Sequence, residues 1–240
     1  MTTPAPEPQR LYRQLAQQLR DWMRASGFAA GARLPAERDL AAQWGVSRSS
    51  LREAVIALEV EGAIEVRTGS GIYVQSTTAA KRPPAHTASD TSTEWGPLEV
   101  MSARILVESE VAALAAQNAQ KQNIQAIRDG LEKMKQEAAR HEMPREGDEA
   151  FHEAIAQACG NSVLHDTVQR FWIARKGPLF ARLGDYFEHP ASWQAAIAEH
   201  QAVLDAIEAG DANAARKAMQ KHLKQAHKRY SASWRRAPAR

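Results

Sequence analysis

The chain has 240 residues, 44% apolar and 25% charged, with a formal net charge of +3, the make-up of ordinary soluble proteins and enough for two modest domains. No apolar run approaches the roughly 18 residues of a membrane span, the proline-rich start lacks the apolar core of a signal peptide, and the single cysteine, Cys159, excludes an intramolecular disulfide or a cysteine-rich zinc site. Together these point to the cytoplasm.

Residues 1–80 hold nine arginines, no lysine and eight acids, a net charge of +1, so individual arginines rather than bulk charge must mark any nucleic-acid surface. Leu11, Tyr12, Leu15, Leu19, Trp22 and Met23 form a helical apolar stripe that ends near Gly27. After Leu34-Pro35 a short helix over about 36–44 buries Leu40, Ala41 and Trp44, with proline near its start, where it costs least. Gly45 suits the left-handed end of that helix. Ser47 caps the next one, and Val46 and Leu51 make a hydrophobic staple across the cap. Leu51, Ala54, Val55 and Leu58 then face a core, while Arg48 and Arg52, four apart, leave another face beside Ser49. Helix, glycine turn and capped helix with paired arginines is the pattern of a helix-turn-helix that reads a DNA major groove. Ile64–Arg67 and Ile72–Val74 alternate as strands around Thr68-Gly69-Ser70-Gly71, which supplies a hairpin wing.

Residues 76–95 read as a linker, semi-extended around Pro83-Pro84. Beyond it helices are expected over about 97–118, 123–140, 144–159, 162–183, 191–209 and 211–235. Gly177-Pro178 kinks or splits the fourth, and 184–190 is a loop. Short connections between them indicate an antiparallel bundle. The fold class is therefore mainly α: an N-terminal winged helix-turn-helix over 8–75, and an all-α domain over 96–236.

Histidines carry the chemistry of the second domain. Asp148 and His152, at i and i+4, leave one helix face, and His200 and His222 lie on the last two helices, where a bundle can bring them in. Three imidazoles and a carboxylate suit zinc, nickel or manganese with positions left open for a ligand; the alternative is surface or capping histidines, as expected for His86, His141, His165, His189 and His227. Arg104 and Glu108 form an i, i+4 pair within an apolar run, either a solvated ion pair or an arginine fork turned inward to hold a ligand carboxylate. Arg170 and Arg175, near Trp172, are similar candidates. Cys159 reads as a buried small residue, Asn161 as a helix cap, and Lys217, Lys221, Lys224 and Lys228 as a solvated face. An enzyme would need a nucleophile or general base beside the metal cluster, and Glu149 and Glu153 point away from the Asp148–His152 face.

Leu34-Pro35-Ala36-Glu37-Arg38-Asp39-Leu40, Gly45–Ala54 and Gly69–Val74 resemble the GntR family of bacterial regulators over residues 10–75. The resemblance implies that Arg38, Ser47, Arg48, Ser49, Arg52, Gly69 and Ser70 bind double-stranded operator DNA. Residues 97–234 resemble the C-terminal FCD-type domain of the FadR subfamily through Asp148–His152, Ala158–Asn161, Glu199-His200 and His222-Leu223. That likeness implies a divalent metal, zinc foremost, on Asp148, His152, His200 and His222, which in turn ligates a small carboxylate effector. It places Arg104 near the effector, with Arg175 and Asn161 as further candidates. The acyl-CoA-binding member that names the subfamily lacks the metal set, which argues against acyl-CoA here. Leu58–Gly62 and Val107–Ala116 are similar to hexuronate-operon repressors, with glycolate-, lactate- and sialate-type effectors left open. The expected protein is a homodimeric repressor; the competing readings are a metal-dependent enzyme and an effector-independent DNA binder.

Overall fold

A computed structural model describes residues 11–75 and 95–231, which fall into two compact units dividing after Leu98. The linker expected over 76–95, except Trp95, with His86 within it, and the last turn expected to Arg235 lie outside the described residues.

In the first unit α1 (Leu11–Ala25), α2 (Glu37–Trp44) and α3 (Arg48–Val60) precede a hairpin of β1 (Ile64–Arg67) and β2 (Gly71–Val74). The apolar stripe of α1 buries Tyr12, Leu15, Leu19 and Met23. Gly45 ends α2 at φ +65°, and its N–H donates back to the Ala41 and Ala42 carbonyls, a conformation that glycine adopts without steric cost. Ser47 then caps α3, its side chain accepting from the Ser50 N–H at 3.0 Å. In the antiparallel hairpin Ile64 faces Val74 and Val66 faces Ile72, and all four are buried. A third edge, absent from the expected elements, runs along β2: the N–H groups of Gly31 and Leu34 donate to Val74 and Ile72 carbonyls at 2.8 Å each. Backbone pairing of this kind asks for no particular side chains, so the Gly31–Leu34 stretch shows no strand pattern.

The bundle contains α4 (Pro97–Asn118), α5 (Lys121–Ala139), α6 (Arg145–Ala158), α7 (Ser162–Arg175), α8 (Pro178–Phe187), α9 (Pro190–Glu208) and α10 (Ala212–Tyr230). Gly177-Pro178 separates α7 from α8, with proline in the first turn of α8. The loop expected from Gly184 begins later, because α8 continues to Phe187. Gly184 serves there as a small buried residue, not a break: a Cβ on it would lie 3.1 Å from Arg145 Nη2.

Two glycines let α5 and α6 meet backbone to backbone. A Cβ on Gly130 would lie 2.7 Å from the Phe151 nitrogen, and one on Gly147 would lie 2.4 Å from the Met134 nitrogen. Each glycine thus occupies the place where the other helix's main chain passes, and the contact sets the height and rotation of α6, which carries Asp148 and His152. In an open helix, alanine is favoured over glycine by about 1 kcal/mol. Gly147→Ala is expected to reverse that and destabilise by about 1–3 kcal/mol, since the overlap is with backbone that cannot rotate away. Urea unfolding reads the effect; an unchanged midpoint would mean the helices have room to part.

Candidate functional site

Three helices bring the four metal candidates together. Asp148 and His152 come from successive turns of α6, His200 from α9 and His222 from α10, and one ligand atom from each lies within 4.8 Å of the others. Ring centroids are 4.2 Å apart for His200 and His222, 5.3 Å for His152 and His200, and 5.4 Å for His152 and His222. All three histidines are buried. Among the described residues four further histidines, His141, His165, His189 and His227, stay outside this cluster. Among them His189 caps α9, accepting from the Ser192 N–H, and His165 pairs with Glu153.

The outer nitrogens define the site further. His200 Nδ1 lies 2.7 Å from the Ala196 carbonyl, which can only accept, so the proton is assigned to Nδ1. His222 Nδ1 likewise lies 2.9 Å from Glu199 Oε2. His152 Nδ1 lies 2.5 Å from Glu108 Oε2. Each Nε2 is left turned to the cluster, where Asp148 Oδ1 lies 3.0 Å from that of His200 and 3.5 Å from that of His152. On neutral rings these are lone pairs facing lone pairs. A cation among them, or extra ring protons, resolves that contact.

Electrostatics leaves His222 and Asp148 in the forms that ligate a cation. Burial pushes the His222 imidazole down, and the neighbouring His200 and His152 push it further, well below the ordinary histidine value, so it is neutral and able to ligate. Burial alone would raise Asp148, but the Arg175 guanidinium, with the neighbouring His152 and His200, outweighs it and holds the carboxyl well below its usual value. Arg175 Nη2 lies 3.1 Å from Asp148 Oδ2, and its guanidinium stacks on Trp172, 4.3 Å from the ring centre. The donor set fits a divalent ion: two imidazoles with their far nitrogens held, a third beside a carboxylate, and an ionised aspartate.

A cavity opens beside the cluster, lined by Asp148, His200, His222 and Arg175. Two effector candidates do not reach it. Arg104 is fully buried, donates to both Glu108 oxygens at 2.5 and 3.2 Å and lies 4.7 Å from the Trp172 ring centre. Its charge is used inside the protein, to hold the carboxylate behind His152. Asn161 caps α7, accepting from the Val163 and Leu164 N–H groups at 3.0 and 3.2 Å, and is exposed away from the cavity. Sequence reasoning gave Glu108 a role only as the partner of Arg104, and gave Glu199 none beyond its place in a motif. Their signals were present, in the Arg104–Glu108 pair inside an apolar run and in the Glu199-His200 neighbours, but neither says which histidine the carboxylate will meet.

In the first unit Arg38 is 79% exposed, with Asp39 3.0 Å away. Arg48 is exposed at the start of α3, with Ser49 half-exposed beside it. Ser47 is occupied in capping, its hydroxyl 2.8 Å from those of Ser49 and Ser50. Gly69 and Ser70 are exposed at the wing tip, where the Ser70 hydroxyl lies 2.7 Å from that of Tyr73. Arg52 departs from the expected DNA face. Its side chain is 3% exposed and forms a two-point ion pair with Glu37, at 2.6 and 3.1 Å. The turn between the helices puts the first turn of α2 against α3, and a buried carboxylate there draws the arginine inward.

Residues 11–74 match the model of the family described as bacterial regulatory proteins, gntR family, and residues 99–225 match that of the FCD domain. The chain is 37% identical to the Exu regulon transcriptional regulator of Escherichia coli over 223 residues, covering 90% of this chain and 83% of the relative. It is 33% identical to the Uxu operon transcriptional regulator of the same organism over 231 residues, covering 94% and 88%. Among solved structures, Streptococcus agalactiae GntR is similar at 22% identity and a TM-score of 0.48, with 90% of this chain and 99% of that one covered.

The buried Arg104–Glu108–His152 chain predicts a pH dependence. Burial raises the Glu108 carboxyl, but Arg104 and then His152 overcome this and bring it down to about 2, from an ordinary 4.5. A lowered folded value stabilises above the unfolded one, and the contribution is lost as pH falls through the folded one. In metal-stripped protein, Glu108→Gln is expected to cost about 3–5 kcal/mol at neutral pH, because Arg104 loses its counter-charge while buried. The gap between variant and parent in urea unfolding should hold down to about pH 4.5 and close towards pH 2. A gap that stayed constant through this window would assign the loss to packing.

Proposed function

The chain belongs to the gntR family of bacterial regulatory proteins, with an FCD domain behind the winged helix, and from that premise we propose a homodimeric, metal-containing repressor that a small sugar acid releases from its operator. Family membership makes the chain a DNA-binding transcriptional regulator and sets aside the enzyme reading. Residues 8–75 read DNA, 76–95 connect, and 96–236 bind metal and effector.

On the DNA side, Arg48 is the base reader and Arg38, Ser49, Gly69 and Ser70 position the protein on the backbone. Exposure of Arg38 and Arg48 at the starts of consecutive helices supports this. Two copies would present two recognition helices to two half-sites of a palindromic operator. Leu106 on α4 and Val163 and Ile173 on α7 are large apolar side chains at least 50% exposed, which supports a second copy covering part of this unit.

The observation that carries the metal reading is the outward fixing of the imidazole Nδ1 atoms, which leaves the Nε2 atoms and Asp148 converging. A bound divalent ion supplies a point charge for an effector carboxylate. Asp148, His152, His200 and His222 would hold it, Glu108, Ala196 and Glu199 would orient the rings, and Arg175 would offer the carboxylate a second cation at the cavity wall. The relatives named for the Exu regulon and Uxu operon, with the similarity to hexuronate-operon repressors, support a sugar acid. Derepression requires that the acid bind one dimer geometry more tightly than the DNA-bound one, since equal affinity shifts nothing.

Two variants test the halves separately. Arg48→Ala is expected to weaken binding to an operator selected from random DNA by about 1–3 kcal/mol and to relax one base position; retained affinity and specificity would remove Arg48 as reader. His200→Ala is expected to lower zinc content on elemental analysis and to abolish the thermal shift produced by hexuronates. Full zinc content with an intact shift would take His200 out of the site.

A further inference from the structure

The cavity beside the proposed metal site carries a feature that carboxylate binding leaves unused. Glu188 closes α8 and lines the cavity with Asp148, His200 and His222. Its Oε2 lies 2.8 Å from the Ser192 hydroxyl, whose one proton it shares with the His189 carbonyl, also at 2.8 Å, and the Tyr230 hydroxyl hydrogen-bonds the same carboxylate. Ser192 is buried and itself held, since its oxygen accepts from the His189 N–H at 2.9 Å. A carboxylate has about four lone-pair sites, so two donors orient Glu188 and leave acceptor capacity for a ligand.

We propose that Glu188 is the specificity-determining residue of the cavity, selecting a polyhydroxy acid with a single carboxylate and rejecting the corresponding dicarboxylate. The inference rests on the reading of this cavity as the effector site. Three observations converge on it. Glu188 is fixed by its neighbours, as an acceptor must be to read a hydroxyl. Trp193 Nε1 and Arg229 Nε are buried N–H groups without a hydrogen-bond partner, and both residues line the same cavity. A buried donor left unsatisfied is costly, and a sugar hydroxyl is the group that can accept from such donors while donating to Glu188. A second carboxylate can only accept, and it would meet Glu188 as a like charge.

Arg145, also lining the cavity, is the cation that could answer a second carboxylate. It has no carboxylate partner among the described residues, but it is exposed, where water and salt screen its charge. Lys176 is engaged by Glu149 at 2.7 Å, and Arg229 Nη1 by Glu199 at 3.2 Å. The fixed charge facing a ligand's hydroxyl end is therefore negative.

The test is calorimetric titration of the zinc-loaded full chain with D-galacturonate and D-glucuronate, and with galactarate and D-glucarate, which carry a second carboxylate. The parent should favour the uronates by about tenfold or more, a difference of about 1.4 kcal/mol. Glu188→Gln keeps the acceptor and removes the charge; the ratio should fall by about tenfold, mainly through tighter aldarate binding. Ser192→Ala keeps the charge and loosens its aim, so it should weaken uronate binding while aldarates stay excluded, an independent reading if Glu188→Gln folds poorly. An unchanged ratio in Glu188→Gln, with uronates still bound, overturns the proposal and leaves the effector site standing. A parent that prefers aldarates, with Arg145→Ala removing the preference, overturns it in favour of Arg145. If zinc-loaded parent binds none of the four acids, the effector reading fails and this inference with it.

Discussion

Three imidazoles and a carboxylate in the core of a helical bundle face the same constraint whatever their purpose. Buried polar atoms must find partners, and atoms of the same kind cannot partner each other. Here the constraint is met on the outside of the cluster. Glu199 and the Ala196 carbonyl take the far nitrogens of His222 and His200, and Glu108 stands beside that of His152. Inside, Nε2 atoms and Asp148 Oδ1 converge, and with the His200 proton on Nδ1 the 3.0 Å contact of its Nε2 with Asp148 has no donor. A cluster built only for stability would be satisfied in both directions. One satisfied only outward has the arrangement that a cation at its centre would complete.

The same electrostatic logic governs the arginines. Arg104 and Arg52 are both buried, and each is held by a glutamate through two nitrogens. A guanidinium is expensive to desolvate and is found inside where a planar carboxylate matches its fork. In the bundle this pair turns a charge into a support for His152. In the winged helix it ties α2 to α3, and leaves Arg48 and Arg38 as the exposed cations at the helix starts. Arginines that look equivalent on a helical wheel thus divide into structural and surface groups according to whether a buried carboxylate lies within reach.

Backbone contact sets the position of all this. Gly130 and Gly147 allow α5 and α6 to approach until main chain meets main chain. Such a contact has little give, because the nearest atom to each glycine is main chain of the facing helix. Asp148 is the residue after Gly147, and His152 follows one turn later, so half of the cluster is carried on the helix with the least freedom to shift. His200 and His222 come from α9 and α10 and complete it from the other side.

Local sequence determined much by itself. The Gly45 turn, the Ser47 cap, the wing and the split at Gly177-Pro178 are contacts between residues a few positions apart, and short-range sterics and hydrogen bonding decide them. The Asp148–His152 pair was legible for the same reason, one turn of helix. The motifs around it carried His200 and His222 by resemblance, while their spacing of 22 residues from each other could not place them together. Tertiary structure decided which way Arg52 turns, that the Arg104–Glu108 pair is buried away from the cavity, and that Gly184 is packed within a helix. Each of these depends on what a different helix brings alongside. A charged side chain's role follows from the nearest opposite charge and the water it keeps, and neither is written in the residues next to it.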